Sequence, residues 1–191
     1  MNEPNTENTQ NQIISILKKN SKYIISIIIV IFFTLITLYY LDHKKKEKNV
    51  FISNQFNKAQ ILIDKKQRDN ALPILLNIIE ENNNFYSTLS LYLIIDEELE
   101  KNQSKIEELF NKILSNSEIE KENKNLIRIK KAIYLSNYDE EQKILDELKP
   151  IINSKSMWRK DALQFLFDYF SSRGENIKAK EYNNLLRSPI K

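Results

Sequence analysis

Two hydropathy regimes divide the chain. From Tyr23 to Leu41, 19 residues run without a charge, most of them Ile, Val, Leu or Phe. At about 1.5 Å per residue, a helix of that length spans roughly 28 Å, enough to cross the apolar core of a bilayer. Beyond it, apolar residues recur at three- and four-residue spacing between polar breaks. With Gly and Pro nearly absent, that pattern predicts an all-α chain.

The breaks place the helices. Asn49 to Lys66 carries Phe56, Ala59, Leu62 and Ile63 on one stripe and continues from the apolar run. "KQRD" turns into a helix over Asn70 to Glu81, with Pro73 in its first turn, where a missing N–H costs nothing. "ENNN" precedes a helix over Phe85 to Lys101, and Ser104 to Ser115 follows, with Ser104 and Glu107 spaced as a capping box. The pattern then predicts helices over Glu118 to Ser136, Glu140 to Ile152 with Asp139 as cap, Met157 to Ser172, and Asn176 to Leu186. Gly174 in "SSRGE" is the expected left-handed residue past a helix end.

The flanks of the apolar run define a membrane anchor. Tyr23 lies at one edge and Tyr39 and Tyr40 at the other, the depth at which aromatic rings meet headgroups, with Lys22 and Lys44 reaching beyond them. The run is longer than the core of a signal peptide, and "TLYYLDH" lacks the small residues of a cleavage site, so an uncleaved anchor is expected. Its polar side chains, Ser26, Thr34 and Thr37, can each return a hydroxyl to a carbonyl one turn earlier. The predicted organisation is an N-terminal segment (1–22), a transmembrane helix (23–41), a basic connector (42–48) and a helical domain (49–191).

Charge narrows the function of that domain. Of 29 Lys and Arg, three precede the apolar run and four lie in the connector, leaving 22; removing Glu3, Glu7, Asp42 and Glu47 from 26 acids also leaves 22. The domain is neutral, and binding of nucleic acid through a basic face loses its support. The absence of cysteine excludes disulfides and thiolate sites, and a single histidine, His43 in the connector, excludes histidine pairs and multi-histidine metal centres. One glycine cannot build a phosphate loop. Clusters such as "DEELE" read as solvated helix faces and ends, so neither an enzyme nor a cofactor is expected. Asn, Ile and Lys are abundant throughout, which gives individual asparagines little weight.

The second helix of each predicted pair begins its apolar stripe at Ala71, Ile106, Ile144 and Ala179, at intervals of 35, 38 and 35 residues. That period is close to the 34 residues of tetratricopeptide repeats and predicts a solenoid of helical hairpins, with a non-repeating bundle as the alternative. In "MWRKDALQFLFDYF" the polar residues Lys160, Asp161, Gln164, Asp168 and Ser171 occupy a narrow arc, so this helix must be packed on more than one side. Trp158 is expected in the core.

The same stretch carries a family resemblance. Trp158, Arg159, Ala162 and Leu166, followed by a short turn and a final helix, resemble the Trp-Arg, Ala and Leu pattern of the membrane-anchored, tetratricopeptide-like proteins described as ancillary subunits of the Sec translocon. Their repeat domain is also linked with cell-division coordinators. The amphipathic "IISILKKNSKYI" before the span, the charged connector and the weak helical repeats follow the family's order, and its alanine-rich repeats are lacking. The resemblance implies a single-pass protein of the bacterial inner membrane with a cytoplasmic N-terminus and a periplasmic domain. It implies a scaffold for proteins, whether translocon subunits, chaperones or exported clients. Lysines on both flanks give no direction by charge. A self-associating organiser of envelope assembly or division, which would be a homo-oligomer, and a cytosol-facing adaptor remain alternatives. The aromatics Tyr86, Tyr92, Tyr134 and Tyr169 are the candidate partner contacts.

Overall fold

In a computed structural model, described here for residues 21–188, the chain is all-α, and no strand occurs among the described residues. It divides into two compact units, Met1–Phe51 and Ile52–Lys191. Helix α1 runs over Ser21–Asp64, as the continuity of its pattern predicts. Its apolar part is long and apolar enough to cross a membrane by length and composition, and the described side chains there, such as Val30, Phe33 and Leu38, are exposed. The hydroxyls of Thr34 and Thr37 donate to the carbonyls of Val30 and Phe33 at 2.8 and 2.9 Å, so neither is left unsatisfied in an apolar surrounding.

The second unit contains the end of α1 and seven further helices: α2 (Arg68–Glu80), α3 (Tyr86–Asp96), α4 (Gln103–Ser115), α5 (Lys121–Leu135), α6 (Glu141–Ile152), α7 (Arg159–Ser172) and α8 (Asn176–Arg187). A short 3-10 turn, Ser136–Tyr138, follows α5. The closest backbone packing joins sequence neighbours, foremost α2 with α3, α5 with α6 and α7 with α8. Ala71, Ile106, Ile144 and Ala179, the positions that open the predicted stripes, are all buried.

The core forms two clusters. One gathers Ile52, Phe56, Leu75, Leu91, Ile106 and Phe110; the other gathers Ile144, Leu148, Ala162, Leu166 and Phe170. Helix α5 serves both, giving Ile127 to the first and Ile129, Ala132 and Leu135 to the second. In α7 the polar arc Lys160, Asp161, Gln164, Asp168 and Ser171 is exposed, while Leu163, Leu166 and Phe170 are buried, as a helix packed on several sides requires.

Helix ends depart from the sequence reading in physically informative ways. The cap of α4 is Asn102, whose side chain accepts from the Lys105 N–H at 3.2 Å, in place of Ser104, which lies within the first turn. Asp139 does not cap α6; it adopts a left-handed conformation, φ 60°, and accepts from the Arg173 guanidinium. Helix α2 starts two residues early, so Pro73 sits beyond the first turn and denies the Asp69 carbonyl its helical donor. Helix α3 ends at Asp96 and not at Lys101, because Glu98 turns left-handed, φ 48°, and the N–H groups of Leu99 and Glu98 close back on Ile94 and Ile95. Lys66 (φ 61°) and Gly174 (φ 74°) end their helices with the same pair of bonds.

Side-chain bonds join alternate helices, or the turns beside them, at a recurring separation. Lys112 pairs with Glu80, Lys143 with Glu107, Arg173 with Asp139 and Lys178 with Glu141, at separations of 32, 36, 34 and 37 residues. In each of these the carboxylate precedes the cation in the chain, whereas in Arg68–Glu97, at 2.8 Å, the cation comes first. Asparagines also take part, contrary to the weight given them from composition. Buried Asn116 donates to the Asn82 carbonyl at 2.9 Å, and buried Asn125 donates to Ser156 Oγ at 3.0 Å, which in turn donates to Glu122 at 2.6 Å.

Candidate interaction surface

The four candidate tyrosines fall into different environments. The Tyr86 hydroxyl donates to Ser53 Oγ at 2.8 Å and its ring packs on Phe56, so it ties α3 to the end of α1. Tyr92 lies under Lys130 Nζ, 5.9 Å from the ring centroid. Its hydroxyl is buried without a hydrogen-bond partner, and burial pushes its pKa up to about 12. Tyr134 packs between Phe110 and Tyr138 with its ring tilted 46° and 51° to theirs, centroids at 6.0 and 5.2 Å, and its hydroxyl lies 3.2 Å from that of Tyr138. Burial first, then the Tyr138 bond and the carboxylates of Glu107 and Glu100, raise its pKa. Tyr169 is 8% exposed, in the second core cluster, with Arg173 5.2 Å over its ring and no partner for its hydroxyl.

Tyr92 and Tyr134 are therefore brought to one edge of α5, through Lys130 one turn before Tyr134. Tyr86 and Tyr169 sit apart from that edge. Sequence reasoning missed two members of it, Ile133 and Tyr138, which are 43% and 42% exposed. The spacing of Lys130, Tyr134 and Tyr138 at successive four-residue steps was the available signal. Aromatic faces, an aliphatic side chain and a lysine lie together on this edge. Among the described residues, no three His, Asp or Glu side chains gather as a metal site.

The resembling motif has a clear structural content. Ala162 and Leu166 are fully buried in the second cluster, and Trp158 packs half-buried against it just before α7. Arg159 Nε donates to the Ile152 carbonyl at 2.9 Å, and its Nη2 donates to the Leu185 carbonyl at 3.4 Å. One guanidinium thus closes the carbonyl ends of α6 and α8, where a cation also meets the negative end of each helix dipole. Ser156 and Met157, just before it, are held by Glu122 of α5.

At the two ends of the apolar run, Tyr23, Tyr39 and Tyr40 are exposed, at 74%, 75% and 56%, as are Lys22 and Lys44. Lys44 Nζ lies 5.6 Å over the Tyr40 ring and His43 stacks on Tyr39. Comparison with protein-family models, curated proteins and solved structures finds no match to this chain.

Proposed function

We propose that this chain is a membrane-tethered scaffold whose second unit is a tetratricopeptide-like array of helical hairpins that binds other proteins. One observation carries the reading: hydrogen bonds and ion pairs between side chains recur at separations of 32 to 37 residues along the unit, the spacing at which equivalent positions of successive hairpins would meet. The buried quartet Ala71, Ile106, Ile144 and Ala179 has the same period. The α5 edge formed by Lys130, Ile133, Tyr134 and Tyr138 is the favoured contact surface, because it combines exposed apolar area with aromatic rings.

The Trp158–Arg159 motif supports a place among ancillary subunits of the Sec translocon. In that reading the protein is single-pass in a bacterial inner membrane, with the helical unit in the periplasm near chaperones and exported clients. Photo-cross-linking from position 138 in intact membranes, joined to reporter fusions at Lys191 that are active in one compartment only, tests both parts. Translocon subunits or chaperones captured from position 138, with a periplasm-active reporter, are the expected result. Homo-oligomers alone would replace the scaffold with a self-associating organiser, and a cytoplasm-active reporter would reverse the orientation.

A further inference from the structure

The connector after the apolar run holds Lys44, Lys45, Lys46 and Lys48 against Asp42 and Glu47, a net charge of 4 − 2 = +2 within seven residues. The second unit is balanced at 22 against 22, so positive charge is concentrated here and not on the domain. Helix α1 passes through the connector without a break. At about 1.5 Å per residue, positions 44 to 46 lie roughly 5–8 Å beyond Leu41, which is the depth of the headgroup layer outside the apolar core.

The side chains turn toward that layer. Lys44 folds back one turn over the Tyr40 ring, and Lys46 folds back one turn to Asp42, with 2.7 Å between Nζ and Oδ2. Both side chains of the Lys46–Asp42 pair stay open to solvent, at 72% and 60%. Steps of about 100° per residue spread the four lysines over roughly 200° of the helix circumference, more than a single stripe, with Lys44 and Lys48 on one side. A flat protein face would meet only part of that arc, whereas headgroups around the helix border the whole of it.

We infer that Lys44, Lys45, Lys46 and Lys48 form a collar that binds the phosphodiester headgroups of anionic phospholipids. The attraction is between lysine ammoniums and lipid phosphate at the surface of an anionic leaflet. This rests on α1 spanning the membrane, and the test separates the two. Full-length protein is reconstituted into vesicles of phosphatidylcholine alone, washed at alkaline pH and floated; co-flotation is expected, and its failure would overturn the span. Spin-labelled phosphatidylglycerol or phosphatidylcholine is then added in trace amount, and the motionally restricted fraction is read by electron paramagnetic resonance. A severalfold preference for phosphatidylglycerol is expected, falling to parity in high salt and in the variant Lys44→Gln/Lys45→Gln/Lys46→Gln/Lys48→Gln, whose exposed helix keeps its propensity. Parity in the unaltered protein, or a preference that survives in the variant, would overturn the collar while co-flotation leaves the anchor standing.

Discussion

Lys131 and Glu147 meet inside the helical unit, with 2.5 Å between Nζ and Oε1, although Lys131 is only 5% exposed. Glu147 also accepts from Arg128 at 2.8 Å, and Lys131 donates to Asn111 Oδ1 at 2.7 Å, so α4, α5 and α6 share one polar cluster. The cluster has two cations and one carboxylate, which makes its members unequal. Glu147→Ala strands a buried ammonium and is expected to cost about 3–5 kcal/mol. Lys131→Met leaves Glu147 its arginine and fills the space with an apolar chain, at a cost of about 1 kcal/mol or less. Urea titration of both variants, followed by far-ultraviolet circular dichroism, checks the order; equal losses would contradict it.

Tyr92 links burial to pH. Unfolded, its hydroxyl ionises near pH 10; folded, it does so at about 12. The proton is held more tightly in the native state, so this contribution is complete below pH 10 and is lost as pH rises through 12. Tyr92→Phe removes both the titration and a buried hydroxyl that has no partner. It is expected to melt no lower than the parent at pH 8, with a gain of about 1 kcal/mol, and to lose less stability between pH 10 and 12. Melting curves across that range decide the point.

Helix termini offer a route to stabilisation. Lys66 and Glu98 hold left-handed backbone where glycine would carry no steric penalty. Glu98→Gly is expected to raise stability by about 0.5–1 kcal/mol. Gly174→Ala is expected to lower it by about 1 kcal/mol from backbone strain alone, because a methyl group there meets nothing within 4 Å. Opposite shifts in the denaturation midpoint are the signature.

Arg159 predicts a local effect. Arg159→Lys keeps the charge but cannot fork to two carbonyls, and it is expected to cost about 1–2 kcal/mol. Amide exchange should speed up in the last turns of α6 and α8 while the first turns of both helices stay protected. Uniform acceleration across the unit would show that Arg159 has no capping role.

Much of the helical layout was legible because breaks in the chain are polar and stripes are regular: α2, α4, α6, α7 and α8 fall within two residues of the pattern at each end. The losses came from choices made by tertiary contacts. Ser104 and Asp139 have the right chemistry for caps, yet Asn102 and an arginine two hairpin helices away decide where the backbone turns. With a single glycine in the chain, left-handed ends fall on Lys66, Asn82, Glu98 and Asp139, which sequence alone does not mark. Lys131 was legible in principle, since it stands four residues from both Ile127 and Leu135 on a buried stripe. Its partner Glu147 was not, because only folding brings α6 to it. The α5 edge was half legible: Tyr134 stands out by type, whereas the exposure of Ile133 and Tyr138 depends on what fails to cover them.

The pairs Glu80–Lys112, Glu107–Lys143, Asp139–Arg173 and Glu141–Lys178 all point the same way along the chain. In these four the order works like tongue and groove, an earlier carboxylate received by a later cation, while Arg68–Glu97 runs the other way. Measured from Ala179 as from the earlier stripe openings, the offering positions used by Glu141, Glu107 and Glu80 fall on Asn176, Lys180 and Ser188, none of them acidic. Helix α8 thus takes part in this series through the cation of Lys178 alone, and its equivalent positions carry no carboxylate to pass on.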